Sequence, residues 1–345
     1  MNKAVRLKVG IVGAGMAGLA CAQALASAGA QVQLIDKGRG PGGRLATRRV
    51  TSPDDSAHVL GIDHGAQILY PRNPGFAAWL AGGEAAGWAA PWTPRRGGAW
   101  ATGPDRTGWV GVPGMSALAQ ALRQDLAVAC GQPVVRLARD AHAPWTLHDA
   151  AGTAFGPFDC VVLALPPAQA ATLLATWADA VAQAWATELQ GVAMLPCWTL
   201  MAVTDDTGHD WDVMEPETGP LAWVARNHRK PGRATPAGLA TWVAQAGAAW
   251  TQAHRDDAPA RVQDALQTTL QGLLAPPLPT VWHHVAVHRW LYALPPAATP
   301  GAPCRWDAAL GLGLCGDHFA GRDVEAAWHS GRALARAIAL APSPD

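Results

Sequence analysis

The strongest constraint on the fold is a glycine-rich turn set between an apolar run and a helix-forming run. Lys8–Val12 is typical of a short buried strand, and residues 13–18 follow it directly as G-A-G-M-A-G. An apolar helix is predicted from Leu19 to about Ala28. A second strand is predicted over residues 31–35, and it closes on Asp36. This order indicates a βαβ unit of the kind that binds a dinucleotide.

The glycines and the acidic residue of this unit each have a physical role. Gly13 permits a tight turn, Gly15 lets a pyrophosphate approach the backbone, and Gly18 lets the helix pack closely on the strand. The free N–H groups at the helix start favour phosphate oxygens. Asp36 stands where a carboxylate accepts hydrogen bonds from a ribose. The cofactor-binding residues predicted from this unit are Gly13, Ala14, Gly15, Met16, Ala17, Asp36 and Lys37.

Composition narrows the class of protein further. The chain has 345 residues, of which 50% are hydrophobic and 15% charged, with a formal net charge of zero. The length suits two domains. Nucleic-acid binding is not expected, because phosphate contacts need concentrated lysine and arginine. The alanine-rich run 168–186 carries interspersed polar and tryptophan residues, which predicts one amphipathic helix rather than a membrane span.

The cysteines and histidines predict neither disulfides nor a metal site. The six cysteines lie in apolar stretches and none forms a C-x-x-C pair. His284 and His288 are four residues apart, which suits a metal only on a helix, whereas the run 281–290 alternates like a strand. With no secretory signal expected at the first apolar run, we predict a cytoplasmic protein that contacts neither membrane nor nucleic acid.

Several later segments resemble flavoproteins of the glutathione-reductase-like superfamily, in particular the flavin amine oxidase group and its bacterial renalase-like members. The segment G-G-R follows Asp36, and D-H-G-A-Q, G-V-P-G-M, P-V-V-R-L and L-G-L-C-G-D come later in the family's order. These segments occupy residues 42–44, 63–67, 111–115, 133–137 and 312–317. The resemblance extends from Val9 to Ile338, where a last helix is expected to begin at Val324.

This resemblance implies an α/β protein with a Rossmann-like, doubly wound FAD-binding domain and an inserted α+β substrate domain. The FAD-binding domain would comprise residues 1–74, 110–166 and 304–345, and the substrate domain residues 75–109 and 167–303. FAD would be noncovalent, because neither Cys304 nor Cys315 lies in a linkage motif. The resemblance adds as cofactor contacts Gly43, Arg44, Gly65, Ala66, Gln67, Val135, Gly316, Asp317, Val324, Glu325 and Ala326.

The substrate half offers pocket candidates but no assignable catalytic residue. The stretch 288–293, H-R-W-L-Y-A, resembles a renalase segment, and on a strand Trp290 and Tyr292 would share one face. Together with Gln67 and Trp242 they are the predicted substrate-pocket residues. The segment 230–233, K-P-G-R, also resembles that family and is interpreted as a turn. Arg226, Arg229 and Arg233 are candidates for binding a 2′-phosphate.

The resemblance implies an oxidase of small molecules. A 2- or 6-dihydro isomer of NAD(P) would give a hydride to flavin N5, and molecular oxygen would take the electrons to form NAD(P)+ and hydrogen peroxide. The alternative is oxidation of a small amine, for which related enzymes often place a lysine near flavin N5 through a water. Lys230 is the one lysine of the substrate half, and its turn motif counts against that role. A non-catalytic FAD-binding redox sensor is a third possibility.

Overall fold

The computed structural model describes residues 6–98, 106–140, 143–274, 281–296 and 301–341. The chain divides into two compact units: unit 1 contains Met1–Gly43, Ala119–Met194 and Leu294–Asp345, and unit 2 contains Arg44–Leu118 and Leu195–Ala293. This division differs from the predicted domains, which assign residues 44–74 and 110–118 to cofactor binding and residues 167–194 and 294–303 to the substrate. The predicted boundaries concern function and stay a prediction; their parts at 1–5, 99–105, 141–142, 275–280, 297–300 and 342–345 lie outside the described residues.

Runs of strands along the chain are separated by one or two helices. The strands are β1 (Lys8–Val12), β2 (Gln31–Asp36), β3 (Thr47–Thr51), β4 (Val59–Asp63), β5 (Ala89–Trp92), β6 (Arg96–Gly97), β7 (Gly108–Gly111), β8 (Ala127–Cys130), β9 (Val134–Ala138), β10 (Trp145–Asp149), β11 (Ala154–Phe158), β12 (Cys160–Leu163), β13 (Leu195–Asp205), β14 (Val213–Met214), β15 (Leu221–Arg226), β16 (Leu239–Ala246), β17 (Trp282–Leu294), β18 (Arg305–Asp307) and β19 (Leu312–Leu314). The helices are α1 (Met16–Ser27), α2 (Pro74–Ala85), α3 (Ser116–Arg123), α4 (Pro167–Leu174), α5 (Ala180–Gln190), α6 (Ala248–Ala253), α7 (Pro259–Leu274), α8 (Asp317–Ala320) and α9 (Val324–Leu340).

Unit 1 is built on a six-stranded sheet in the order β18-β19-β12-β1-β2-β8. All neighbouring pairs are parallel except β18 with β19. Residues 9–12 of β1 are buried, as the continuous apolar run requires of a central parallel strand. The Rossmann-like α/β prediction is confirmed.

Helices α1 and α9 pack against each other in unit 1. A Cβ built on Gly331 would lie 2.1 Å from the carbonyl oxygen of Ala17, so only a glycine allows this approach. The contact brings the backbone of the last long helix against the backbone of the first.

Local predictions in unit 1 are confirmed in one place and wrong in another. Strands β1 and β2 form where predicted, and α1 begins at Met16, three residues before the predicted Leu19. The single helix predicted over residues 168–186 is wrong, because α4 and α5 are separate. The carboxylate of Asp179 accepts hydrogen bonds from the N–H groups of Val181 (2.9 Å) and Ala182 (3.1 Å), which starts a new helix there.

Unit 2 contains a six-stranded sheet in the order β17-β13-β16-β15-β14-β6. On one face, α7 buries Val262, Leu266 and Leu270 in a cluster that includes Trp242. On the other face, Leu60 and Ile62 of β4 pack against Met201, Val203 and Val243 of the sheet. The hairpin β3–β4 therefore covers the second face and places the end of β4 over the sheet.

Among the described residues, no helix has both the length and the apolar character needed to cross a bilayer.

Candidate cofactor and substrate sites

The glycine-rich turn of unit 1 contains two glycines that the protein itself requires and one that faces open space. Gly13 has φ +102°, and a Cβ there would lie 2.5 Å from the carbonyl oxygen of Ala164. A Cβ on Gly18 would lie 2.0 Å from the carbonyl oxygen of Gly13. A Cβ on Gly15 would meet no atom within 4 Å. The turn thus leaves room at the position where a pyrophosphate is expected to approach the backbone.

The start of α1 is open to an anion. Its N-cap residue, Gly15, makes no side-chain capping hydrogen bond. By contrast, Asp323 caps α9, with its carboxylate accepting from the N–H of Ala326 at 2.9 Å. The N-terminal N–H groups of a helix need an acceptor, and the residues Met16 and Ala17 lie in this first turn.

Asp36 ties the turn to the following loop. Its two carboxylate oxygens accept from the N–H groups of Ala14 and Gly38, each at 2.6 Å. The N–H of Gly42 donates to the carbonyl oxygen of Ala14 at 2.8 Å, so the G-G-R segment begins on the glycine turn. Gly43 and Lys37 are exposed. The predicted residues of these two segments that belong to unit 1 are therefore together in the structure.

The C-terminal motif forms a second part of the unit 1 site. Gly316 follows β19, and its N–H donates to Ser330 Oγ at 3.0 Å. Asp317 opens the short helix α8 and is buried, as are Glu325 and Ala326 in the first turn of α9. Val324 is half-buried. The ribityl or pyrophosphate contact of Asp317 stays a prediction.

These features fit a dinucleotide cofactor. The uncapped helix start, the open space at Gly15 and the adjacent Asp36 carboxylate provide for a pyrophosphate and a ribose. Val135, predicted to hold the adenine through its backbone, lies on β9 and is 46% exposed, so its surface is available to a ligand.

Unit 2 contains a cluster of buried charges at the end of β4. The side chains of Asp63 and Lys230 are fully buried, and that of Arg233 is nearly so. Lys230 Nζ lies 3.2 Å from Asp63 Oδ2, and the Arg233 guanidinium donates to the same oxygen. The other carboxylate oxygen accepts from Thr47 Oγ1 at 2.8 Å and from the N–H of Met115 at 2.9 Å.

The cluster shifts the pKa values of both its acid and its lysine. Burial raises the pKa of Asp63, but the charges of Lys230 and Arg233 outweigh it and lower the pKa from 3.8 to about 2. Burial lowers the pKa of Lys230 from 10.5 to about 8; Asp63 opposes this change and Arg233 adds to it. Asp63 is therefore ionised at neutral pH, whereas the lysine carries a charge that its surroundings disfavour.

Gln67 connects this cluster to the preceding turn. Its Nε2 donates to the carbonyl oxygens of Asp63 (2.7 Å) and Gly65 (3.0 Å), and its Oε1 accepts from Lys230 Nζ at 3.0 Å. The sequence predicted that this amide is presented to flavin or substrate. In the structure both amide atoms bind protein groups, because the turn folds back on β4.

Gly65 is required by the chain itself. A Cβ there would lie 2.0 Å from the carbonyl oxygen of Arg44, and that oxygen accepts from the N–H of Ala66 at 2.9 Å. The expected room for a cofactor at Gly65 is therefore occupied on that side by the protein backbone. Arg44 donates to the carbonyl oxygen of Ala293 at 3.1 Å.

An aromatic group, formed by His64, His288 and Trp290, lies beside the turn. Trp290 stacks on His64 with ring centroids 5.2 Å apart, and its Nε1 donates to the His64 carbonyl oxygen at 2.8 Å. His288 contacts the edges of both rings, at 5.0 and 4.3 Å. Burial, with lesser contributions from His288 and Arg48, lowers the pKa of His64 to about 4. Burial and Arg48 also lower the pKa of His288, so both imidazoles are neutral at pH 7.

The remaining predicted substrate-side residues separate into accessible and inaccessible ones. Trp290 and Tyr292 are half-buried on β17, whose strand structure agrees with the predicted alternation. Trp242 is fully buried in the apolar core, with its Nε1 donating to Thr204 Oγ1 at 2.9 Å, so it is a core residue. Arg226 and Arg233 are buried against Asp206 and Asp63, whereas Arg229 is 47% exposed beside Asp212.

Sequence reasoning missed the buried charge cluster. Asp63 and Lys230 are 167 residues apart, so no local pattern contains both. The signal available was the composition, because Lys230 is the one lysine between residues 38 and 345. Within the described ranges, no group of three or more histidine, cysteine, aspartate or glutamate side chains is placed to hold a metal ion.

Two family profiles match the chain. The family described as NAD(P)-binding Rossmann-like domain matches residues 11–81. The family described as flavin containing amine oxidoreductase matches residues 96–339, which is well over half of the chain.

Solved structures with the same fold have low sequence identity. One from Exiguobacterium sp. 255-15, assigned as a protoporphyrinogen oxidase, has a TM-score of 0.74 and 14% identity and covers 98% of this chain and 99% of its own. A redesigned variant of putrescine oxidase has a TM-score of 0.67 and 14% identity, covering 96% and 99%. Reduced UDP-galactopyranose mutase has a TM-score of 0.65 and 10% identity, covering 85% and 83%. At these identities the likeness concerns the fold alone.

Proposed function

Since this chain belongs to the flavin-containing amine oxidoreductase family and is an FAD-dependent oxidoreductase, we propose that it oxidises reduced nicotinamide dinucleotide isomers. The substrate would be a 2- or 6-dihydro isomer of NAD(P), and the electron acceptor molecular oxygen. The products would be NAD(P)+ and hydrogen peroxide, with one proton consumed from solvent.

The observation that carries this proposal is the neutral aromatic group of unit 2 with a cation beside it. The imidazoles of His64 and His288 are uncharged at pH 7 and lie against Trp290. His64 is buried, whereas His288 and Trp290 are half-buried, so the last two offer flat ring surfaces suited to a dihydropyridine ring. Arg48 acts electrostatically on both imidazoles, so the neighbouring charge is positive and favours a substrate that carries phosphates.

The buried charge cluster also favours a dinucleotide substrate over an amine. It contains one carboxylate, Asp63, and two cations, Lys230 and Arg233. With the lysine protonated, its net charge is one positive unit. A cationic amine would be repelled by this charge, whereas an anionic dinucleotide would be attracted.

FAD, when bound, would supply the two-electron redox chemistry between the substrate and oxygen. The chain's residues then have mainly to bind and orient the substrate, because aromatisation of the nicotinamide ring favours the reaction. His64, His288 and Trp290 would fix the plane of the ring. Tyr292, half-buried on the same strand, would border it.

Amine oxidation is the second candidate, and the family description itself favours it. A lysine that holds a water is a feature expected of that chemistry. Lys230 has three N–H donors, and Asp63 Oδ2, Gln67 Oε1 and Asn227 Oδ1 lie 3.2, 3.0 and 3.3 Å from its Nζ. All three donors of the lysine therefore bind protein groups and none is left for a water, which counts against the amine oxidation hypothesis.

Noncovalent attachment of FAD and a cytoplasmic location are parts of the proposal. Cys315 is fully buried, and burial with the charge of Cys315 raises the pKa of Cys304 to about 11, so neither is a ready nucleophile. All six cysteines are free thiols, which supports a reducing compartment.

The test is anaerobic mixing of the holoenzyme with aged NADH that contains the 2- and 6-dihydro isomers. We expect the isomers to bleach the flavin absorbance rapidly, and pure 4-dihydro NADH to leave it unchanged. Admitting oxygen should restore the colour and yield one hydrogen peroxide per NAD+. If a panel of primary and secondary amines bleaches the flavin and the isomers do not, the amine reading replaces this one.

A matched pair of variants connects the test to the aromatic group. Trp290→Phe keeps a ring but loses the Nε1 hydrogen bond to His64, whereas Trp250→Phe changes a tryptophan on α6 that stacks on His254. We expect only Trp290→Phe to slow bleaching by the isomers. Equal rates in both variants would remove Trp290 from the proposed site.

A further inference from the structure

Lys230 is a buried cation whose charged form the protein disfavours. Asp63, its acidic partner, already receives donors from Arg233, Thr47 and the backbone of Met115. The carboxylate would thus stay paired without the lysine. A buried charge that stability does not need is a candidate for a functional role.

Hydrogen bonds and the backbone of residues 63–67 together connect Lys230 to the aromatic group. Lys230 Nζ donates to Gln67 Oε1, and Gln67 Nε2 donates to the carbonyl oxygens of Asp63 and Gly65. The Gly65 carbonyl oxygen also accepts from Gln245 Nε2 at 2.8 Å. His64 lies between Asp63 and Gly65 in the chain, and its carbonyl oxygen accepts from Trp290 Nε1 at 2.8 Å. Lys230 therefore binds the turn 63–67 through Gln67, and the Trp290 indole binds the same turn through the His64 carbonyl oxygen.

We propose that Lys230 is a positioning residue, which through Gln67 and Asp63 fixes the turn 63–67 and so sets the position of the His64 and Trp290 rings. This rests on the proposed function only in that the rings are taken to receive the substrate. The positioning itself is a property of unit 2 and is independent of which substrate binds.

The proton on Lys230 determines how many partners it can hold. As an ammonium it has three donors for Asp63, Gln67 and Asn227; as a neutral amine it has two, so one of these three hydrogen bonds is lost. The groups facing Nζ are these three and the Arg233 guanidinium. Arg233 keeps its charge, Asn227 and Gln67 do not titrate, and Asp63 titrates near 2, so above pH 6 Lys230 is the member that changes.

The experiment follows the Trp290 indole N–H directly. We would record ¹H–¹⁵N spectra of the ¹⁵N-tryptophan-labelled holoenzyme from pH 6.5 to 9.5, with the Trp290 signal identified by its loss in Trp290→Phe. We expect this signal to move with a midpoint near pH 8, where Lys230 loses its proton. In Lys230→Met it should start at a different position and not titrate over this range. In Lys230→Arg, which remains charged, it should lie near the wild-type low-pH position throughout.

Steady-state kinetics provide a second test of the positioning role. For Lys230→Met we expect kcat/KM for the dinucleotide isomers to fall roughly ten- to a hundredfold, as for a displaced positioning group, with partial rescue in Lys230→Arg. Lys8→Met, at an exposed lysine of β1, is the matched control and should keep wild-type values. Thermal melts would confirm that the variants are folded.

The outcomes separate the two proposals. A Trp290 signal that neither titrates near pH 8 nor differs between wild type and Lys230→Met overturns the positioning role, whatever the substrate. A signal that behaves as expected, in an enzyme that oxidises amines and not the isomers, supports the positioning role and overturns the proposed function.

Discussion

The two units of the molecule handle electrical charge by different means. Unit 1 presents mainly backbone groups to a ligand. They are the uncapped start of a helix and a glycine that faces open space, together with a half-buried carboxylate that itself binds backbone N–H groups. Unit 2 uses side chains that are buried and already paired, with one acid between two cations. Dipolar N–H groups are present at every helix start and need an acceptor, which a ligand anion can supply. Buried ions must be solvated by one another, so each depends on its partners.

This difference predicts which kind of substitution damages each unit. The unit 1 site should fail when an added atom blocks space, with little effect on the rest of the unit. The unit 2 cluster should fail when its one anion, Asp63, is removed, and the loss should appear in the stability of the whole unit.

The largest effect is expected from Asp63→Asn. The change leaves Lys230 and Arg233 buried without their anion, which typically costs ~3–5 kcal/mol of unfolding free energy. Asp36→Asn, the counterpart in unit 1, removes a half-buried carboxylate that binds two N–H groups, and should cost about 1 kcal/mol. Denaturant unfolding of the flavin-free variants measures both. Equal losses would break the contrast between the units.

The next effect concerns two glycines of the same turn. Gly18→Ala places a Cβ 2.0 Å from the Gly13 carbonyl oxygen, and such overpacking should cost roughly 3 kcal/mol or more. Gly15→Ala meets no atom within 4 Å and has φ −78° and ψ −175°, which alanine adopts freely.

For Gly15→Ala we expect the stability of the flavin-free protein to change by less than about 0.5 kcal/mol. FAD affinity, measured by titration of the flavin-free protein, should fall by roughly tenfold or more, equivalent to about 1.4 kcal/mol. Wild-type affinity in Gly15→Ala would show that the pyrophosphate does not approach this backbone.

A third prediction uses pH. The pKa of Asp63 is lowered from 3.8 to about 2 in the folded protein, so its contribution to stability is fully present above pH 4. It is lost as the pH falls through 2, and amounts to about 2 kcal/mol. Urea unfolding between pH 4 and 2 should show a loss in wild type that Asp63→Asn lacks.

Lys230 should also make stability rise with pH, but at alkaline pH and because the folded protein is relieved of a disfavoured charge. Its pKa falls from 10.5 to about 8 on folding, so the unfolded chain holds the additional proton between these values. The contribution of this group therefore makes stability rise with pH over that range. If Lys230→Met and wild type have the same pH dependence from 8 to 10.5, this group does not titrate as described.

The smallest effects should be equal in the two units. Asn73→Ala in α2 of unit 2 and Asp179→Ala in α5 of unit 1 each remove a side chain that caps a helix start through two N–H groups. Each should lower stability by ~1 kcal/mol. Because caps are local, a large difference between the two would mean that the units also differ in how they transmit a local loss. Differential scanning calorimetry would compare them.

Local sequence predicted the first βαβ part of unit 1, because its elements follow one another within forty residues. Strands β1 and β2 and the roles of Gly13 and Gly18 could be inferred, since apolar runs and glycines act on their own neighbours. The helix predicted over 168–186 was wrong because Asp179, a capping residue, lay unrecognised inside an alanine-rich run. The pairing of Asp63 with Lys230 and Arg233 joins residues 167 and 170 apart, which only the folded chain brings together.

The path of the chain through the two units has a consequence for its synthesis. Unit 2 ends at Ala293, whereas unit 1 still lacks β18, β19 and α9 when residue 293 leaves the ribosome. At that point β12 cannot yet pair with β19, and α1 cannot yet pack against α9 at Gly331. The unit that begins first therefore finishes last. The cofactor site at the amino end should become able to hold its ligand only after the carboxyl-terminal helix has been translated.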